Sequence, residues 1–149
     1  MIGRKKEMQA LQTAYNSVQS EFVAVYGRRR IGKTFLINEI FGGRFAFQHA
    51  GVEKANMREQ LAYFRDSLLR NGHRSCPVLH NWRTAFFELE NFLESLEPGR
   101  KVVFLDEVPW MDTAKSGFLT ALEHFWNGWA CLRKDVLLII CGSATSWVV

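Results

Sequence analysis

The sequence contains few cysteines and no long apolar run. Its three cysteines, Cys76, Cys131 and Cys141, are widely separated, which argues against a metal knuckle or a paired redox site. No stretch approaches the roughly 20 apolar residues that a helix needs to span a bilayer, and the N-terminus lacks the order of segments that marks a signal peptide. We therefore expect a protein of the reducing cytoplasm that makes no membrane contact.

The composition indicates one globular domain over residues 1–149. The chain of 149 residues is 48% hydrophobic, which is enough for a proper core. Strand and helix patterns alternate along it, and this alternation predicts an α/β fold with helices on both faces of a parallel sheet. The formal net charge of +4 suits an anionic ligand but does not by itself call for nucleic acid.

The most informative pattern is a phosphate-binding loop. The chain reads Gly27-Arg28-Arg29-Arg30-Ile31-Gly32-Lys33-Thr34, which fits G-x-x-x-x-G-K-[ST] at every fixed position. A predicted strand over 21–26 precedes the loop, and a predicted helix over 34–41 follows it. In that setting the glycines turn backbone N–H groups toward a phosphate, Lys33 supplies charge for the outer phosphates, and Thr34 holds Mg²⁺. The next residue, Phe35, completes the predicted nucleotide-binding segment.

A predicted strand that ends in two acids supplies the second part of the site. The apolar residues 102–105 precede Asp106 and Glu107, and such a run is typical of a strand buried on both faces of a parallel sheet. Its carboxyl end would lie beside the phosphate loop. Asp106 then completes the Mg²⁺ shell, and Glu107 orients and deprotonates the attacking water. The alternative is that both acids only solvate the end of a strand.

A further strand is predicted over 136–141, and small polar residues follow it. Ser143 is the first choice for a hydroxyl that senses the γ-phosphate, and Thr145 is the second. The alternative is an ordinary Gly-Ser turn.

The rest of the chain predicts one more strand, over 45–50, and helices over 3–19, 56–69, 82–96 and 116–129. Val18 and Leu69 count among the inward positions of these helices. The aromatic stripes have helical spacing, which favours core packing over base stacking. The four histidines lack the mutual spacing of a metal site, so surface or core positions are expected for them.

Four motifs, taken in order, resemble the archaeal-type ATPase family, a member of the AAA+-like P-loop ATPases that is often grouped with the STAND branch. The first is Gly3-Arg4-x-x-Glu7, and the second is the phosphate loop. The others are Phe104-Leu105-Asp106-Glu107-Val108-Pro109-Trp110 and Cys141-Gly142-Ser143-Ala144-Thr145-Ser146-Trp147. The likeness covers essentially the whole chain.

The resemblance implies a three-layer core around a parallel sheet in the order 5-1-4-3-2, with ATP and Mg²⁺ as ligands. It assigns Lys33 and Thr34 to the phosphate loop, Asp106 and Glu107 to the acidic pair, and Ser143 to the first sensor. It also places Arg4 near the nucleotide base. Because the sequence stops after its fourth predicted strand, we expect a truncated core without the fifth strand, lid or effector domain. Hydrolysis by this segment alone is then expected to be slow or absent.

Two functional hypotheses follow. In the first, the chain is an ATPase core whose hydrolysis drives or resets a change in a C-terminal region. In the second, it is a nucleotide-dependent switch or assembly module with little turnover, which binds itself or another protein. A small-molecule kinase is a weaker hypothesis because no acceptor or lid pattern supports it. GTP is disfavoured because no Asn-Lys-x-Asp segment is present, and nucleic acid would require a further C-terminal domain.

Overall fold

The computed structural model describes the backbone of residues 2–27 and 31–143 and the side chains of residues 5–25 and 34–142. In these ranges the strands are β1 (Glu21–Gly27), β2 (Phe45–Ala50), β3 (Lys101–Asp106) and β4 (Val136–Ser143). The helices are α1 (Ile2–Tyr15), α2 (Ile31–Phe41), α3 (Met57–Arg70), α4 (Trp82–Glu94), α5 (Val108–Met111) and α6 (Phe118–Gly128). A short 3-10 turn, Ala130–Leu132, leads toward β4.

The described strands form one parallel sheet in the order β1-β4-β3-β2. This is the predicted order for strands one to four, and the α/β class with a parallel sheet is confirmed. In the register, Gly27 pairs with Ser143 and Ala50 pairs with Asp106. Because all the strands are parallel, their carboxyl ends meet at one edge of the sheet, where ligands bind in open α/β folds.

Two apolar clusters lie on opposite faces of the sheet and give the three predicted layers. Side chains alternate along β3, so that Val102 and Phe104 pack toward α1 and α2, while Val103 and Leu105 pack toward α3, α4 and α6. No helix in the described ranges combines the length and the apolarity that crossing a membrane requires.

Local signals in the sequence set several helix ends. The Asn56 side chain accepts from the backbone N–H of Glu59, and the Glu59 side chain accepts from the N–H of Asn56, a capping box that starts α3. Asn81 caps α4 in a similar way by accepting from the N–H of Thr84. As predicted, α2 ends at Phe41, just before Gly42 and Gly43.

Three expectations about the helices were wrong. Helix α1 ends at Tyr15, so Val18 lies beyond it and is exposed. Leu69 is on the outer side of α3, because Leu68 takes the buried position next to it. Helix α6 begins at Phe118 rather than at residue 116. The aromatic stripe of α4, by contrast, is buried as predicted, since Trp82, Phe86, Leu89 and Leu93 all lie in the core.

We predict that Trp82→Ala is strongly destabilising. The fully buried Trp82 ring joins α3 and α6 to α4, because its centroid lies 5.4 Å from that of Phe64 and 4.9 Å from that of Phe118. The cavity should lower the free energy of unfolding by about 3–5 kcal/mol in urea denaturation. The exposed Leu132 provides the control, and Leu132→Ala should change stability by less than about 0.5 kcal/mol. Equal losses in the two variants would contradict the prediction.

Candidate functional site

A hydrogen bond joins the two motif segments that the sequence singles out. The Thr34 hydroxyl, in the first turns of α2, donates to Asp106 Oδ2 at the end of β3 over 2.8 Å. The two residues are 72 positions apart in the chain. Asp106 is only 9% exposed, so this contact lies in a partly dry environment at the carboxyl edge of the sheet.

The second oxygen of the same carboxylate is also engaged. The backbone N–H of Glu107 donates to Asp106 Oδ1 over 2.8 Å. Both oxygens are therefore held by neutral donors, which fixes the plane of the carboxylate without neutralising its charge. An orientation set from both sides is what a metal ligand requires.

The donor set suits Mg²⁺. A hydroxyl oxygen and a carboxylate oxygen are hard ligands, and Mg²⁺ commonly takes one or two such groups together with phosphate oxygens and water. Among the residues that the structure describes, no group of three His, Cys, Asp or Glu side chains could hold a metal by itself. Thr34 and Asp106 would thus hold the ion jointly with the phosphates of a bound nucleotide.

Glu107 occupies an unusual backbone conformation between β3 and α5. Its dihedral angles, φ 50° and ψ 41°, lie in the left-handed region, which costs a non-glycine residue about 1–2 kcal/mol. The residues that follow offset this cost, since Val108 and Met111 of α5 are fully buried. The sharp turn carries the chain away from the sheet directly after the two acids. The four-residue helix α5 was missed by the sequence analysis because it is shorter than one amphipathic repeat.

A cleft of about 440 Å³ extends from the Thr34–Asp106 pair toward β2. Gln48 and Ala50 of β2 line it beyond Asp106. Ser67 and Arg70 of α3 and its C-cap Asn71 form the far wall. Sequence reasoning found none of these wall residues, because no motif marks them and only the crossing of α3 over the sheet edge brings them to the site.

The strand ends support the predicted placement of the other site segments. Gly27 ends β1, and the backbone of Gly32 and Lys33 lies in the first turn of α2. Strand β4 continues through Ser143, so the alternative of a turn at Gly142-Ser143 is wrong. β4 also lies between β1 and β3, which brings Ser143 to the same edge as the loop and the acids.

Several predicted residues lie outside the described ones. Arg28, Arg29, Arg30 and Thr145 do so entirely, and for Arg4, Ile31, Lys33 and Ser143 only the backbone is described. Their roles stay predictions. The Phe35 ring is described and is 54% exposed on α2, and its part in binding a nucleotide is likewise a prediction.

Solved structures with the same architecture were found. A Walker-type ATPase of Pyrococcus abyssi superposes with a TM-score of 0.61 at 17% identity, over 93% of this chain and 44% of that one. The chain shares the three-layer α/β fold of that ATPase. The ORC2 protein of Aeropyrum pernix, solved as ADPNP-ADP complexes, shares this fold with a TM-score of 0.50 at 17% identity, over 96% of this chain and 42% of that one. Drosophila ORC bound to DNA matches with a TM-score of 0.54 at 10% identity, over 98% of this chain and 81% of that one.

Two curated proteins of Methanocaldococcus jannaschii resemble this P-loop chain in sequence. An uncharacterized protein is 29% identical over 145 residues, which cover 97% of this chain and 30% of that protein. An uncharacterized ATP-binding protein is 40% identical over 38 residues, which cover 26% of this chain and 64% of that protein. The chain thus spans less than a third of the length of the first relative. No protein-family model matches it.

One buried histidine forms part of the cleft. His49 is 6% exposed, lines the cleft from β2, and places its Nδ1 2.7 Å from the Ser67 hydroxyl. The rings of Phe47 and Phe64 both pack against it and against each other. Burial lowers the pKa of His49 to about 4, so the ring is neutral at physiological pH.

We predict that His49 makes the P-loop domain less stable in acid. Its folded-state pKa of about 4 lies below the ordinary histidine value of 6.5, so between these values the unfolded chain binds more protons. Stability is therefore fully present above about pH 6.5 and is lost toward pH 4, by up to about 3 kcal/mol. Urea denaturation of the parent and of His49→Phe across this range measures the difference.

Comparing the parent with His49→Phe removes the contributions of other titrating groups to the pH dependence of stability. Burial, together with Glu94, raises the pKa of Glu90 to about 7, which makes stability fall as pH rises from about 4.5 to 7. That slope is present in both proteins and cancels in the difference. Identical pH dependences of the parent and of His49→Phe would show that His49 does not resist protonation.

Proposed function

We propose that the chain is the nucleotide-binding core of an ATPase of the archaeal type, which binds Mg-ATP and hydrolyses it to ADP and phosphate. The observation that carries this proposal is the hydrogen bond between Thr34 and Asp106. It brings a phosphate-loop residue next to the acidic strand end, as two ligands of one Mg²⁺ ion would require. The names of the ATP-binding relative and of the Walker-type ATPase support the same function.

Binding would use the amino end of α2. The backbone N–H groups of residues 27–34 and the positive end of the helix dipole would face the phosphates, and Lys33 would neutralise the outer ones. Mg²⁺, held by Thr34 and Asp106, would neutralise charge on the β- and γ-phosphates. Ser143, at the end of the strand between the loop and the acids, would contact the γ-phosphate.

Hydrolysis would use Glu107 as the general base. Both oxygens of Asp106 are already engaged, by the hydroxyl of Thr34 and the N–H of Glu107, which suits a metal ligand better than a base. The carboxylate of Glu107 would take one proton from water as the water oxygen bonds to the γ-phosphorus. The bond from that phosphorus to the bridging oxygen breaks, and ADP leaves with the electron pair.

The change that nucleotide binding and hydrolysis would drive is expected in a further region of a longer protein. The first curated relative is more than three times as long as the matched region, so we propose that nucleotide state is coupled to a further region, with self-association or a protein partner as readout. Contact with nucleic acid would also depend on such a region. A switch with little turnover uses the same binding site and differs only at the hydrolytic step.

We predict that Lys33→Ala weakens Mg-ATP binding by roughly 10- to 100-fold, the value of one charge-assisted contact to phosphate. Isothermal titration calorimetry on the full chain measures this change. Lys134→Ala removes an exposed lysine of the loop before β4 and should bind Mg-ATP as the parent does. Equal affinity of Lys33→Ala and the parent would refute the loop as the phosphate site.

We predict that Glu107→Gln separates binding from turnover. The amide keeps the size of the side chain but cannot accept the proton, so the Mg-ATP affinity should stay within about threefold while turnover falls roughly 100-fold or more. Single-turnover assays with protein in excess over labelled ATP detect slow hydrolysis. Turnover at the parental rate would refute Glu107 as the base, and a parent that binds without turnover would favour the switch.

A further inference from the structure

The residue that follows β2 touches the acidic segment at its most strained point. The backbone N–H of Gly51 donates to the carbonyl oxygen of Asp106 over 2.9 Å, directly after the register pair Ala50 and Asp106. Gly51 therefore lies at the level of the sheet where β3 passes into Glu107.

The space beside Gly51 is filled by the backbone of Glu107. A Cβ built on Gly51 would lie 2.4 Å from the carbonyl oxygen of Glu107, well inside the 3.0 Å that real Cβ atoms respect. It would also approach Met111 Cγ at 3.1 Å and Trp110 Cβ at 3.2 Å. Gly51 is not among the described glycines with positive φ. Glycine is thus required at this position for close approach rather than for its backbone conformation.

The loop that leaves β2 is braced from its other side. Gln60 of α3 is fully buried and accepts from the N–H of Val52 over 3.1 Å. Its amide donates to the carbonyl oxygens of Val52 over 2.6 Å and Ala55 over 3.2 Å. Moving Gly51 away from Glu107 would break these bonds, so the loop resists displacement.

Glu107 is held by hydrogen bonds within its own turn. Its carbonyl oxygen accepts from the N–H of Trp110 over 3.1 Å, and its N–H donates to the Asp106 carboxylate. The left-handed conformation of the residue stores strain that a shift would release. A methyl group on Gly51 would therefore displace Glu107 rather than the loop.

We propose that Gly51 is a positioning residue for Glu107: the contact of its bare Cα with the Glu107 carbonyl oxygen holds the base in its left-handed turn beside the Thr34–Asp106 pair. The inference about the reaction rests on the proposed function, whereas the inference about geometry does not. It assigns to the exit of β2 a part in hydrolysis that no sequence motif carries.

The test compares Gly51→Ala with Gly128→Ala in the full chain. The same methyl at Gly128 meets only the flexible side chain of His124, at 3.3 Å. Gly51→Ala should change the backbone ¹³C shifts of Glu107, keep the affinity for Mg-ATP within about threefold, and lower single-turnover hydrolysis roughly 10- to 100-fold. Gly128→Ala should match the parent in all three measurements.

The Glu107→Gln background separates a positioning role from a general structural one. Gly51→Ala should lower turnover no further there, because the base through which it acts is already gone. Further loss in that background would overturn the positioning role. If Glu107→Gln does not change turnover, Glu107 is not the general base. The ¹³C shifts then decide whether Gly51 sets the conformation of Glu107. Unchanged shifts and unchanged turnover in Gly51→Ala would overturn the inference and leave the proposed function intact.

A second variant tests the same contact without adding a methyl group to Gly51. Gln60→Met has nearly the same volume but lacks the bonds that brace the loop. Amide hydrogen exchange at Gly51 and at Glu107 should then accelerate together, by similar factors, because the two residues move as one contact. Faster exchange at Gly51 with parental exchange at Glu107 would overturn the coupling.

Discussion

The site depends on the hydrogen bond between Thr34 and Asp106, and each partner is brought to it by a different part of the fold. Asp106 ends a strand that is buried throughout and paired on both sides, so its position is fixed by the sheet. Thr34 is fixed by α2, whose buried side chains Leu36 and Ile37 pack on the sheet two and three residues later. A hydroxyl and a carboxylate 2.8 Å apart therefore reflect the packing of two layers.

The two acids differ in how the fold holds them. Two neutral donors hold the two oxygens of Asp106, which fixes the orientation of its carboxylate without neutralising its charge. Glu107 comes next, where the chain leaves the sheet in a strained turn. The buried residues Val108 and Met111 stabilise the segment that follows the strain. The core on one face of the sheet thus supports a conformation that Glu107 would not adopt alone.

Sequence reasoning succeeded where the signal is local and failed where it depends on tertiary contacts. The strand over 45–50 has the predicted bounds because a period of two and flanking glycines mark it. Val18 and Leu69 follow the helical period but are exposed, because α1 ends before Val18 and Leu68 takes the buried position in α3. The Gly27–Thr34 motif and the two acids can be recognised from spacing alone, and their roles stay predictions. Gly51 cannot be recognised in this way, because its closeness to Glu107 exists only after β2 and β3 pair.

The edge strand β2 can serve as a wall of the site because its outer side is closed. Asn71, at the end of α3, accepts from the backbone N–H of Gln48 over 3.3 Å and donates to its carbonyl oxygen over 3.2 Å. At Gln48 one amide side chain thereby takes the place of a pairing strand and ties the end of α3 to the sheet edge. His49 and Ser67 add a second tie beside it. Because these bonds join groups of the protein itself, they hold the far wall of the cleft in place, and a nucleotide would meet groups already positioned.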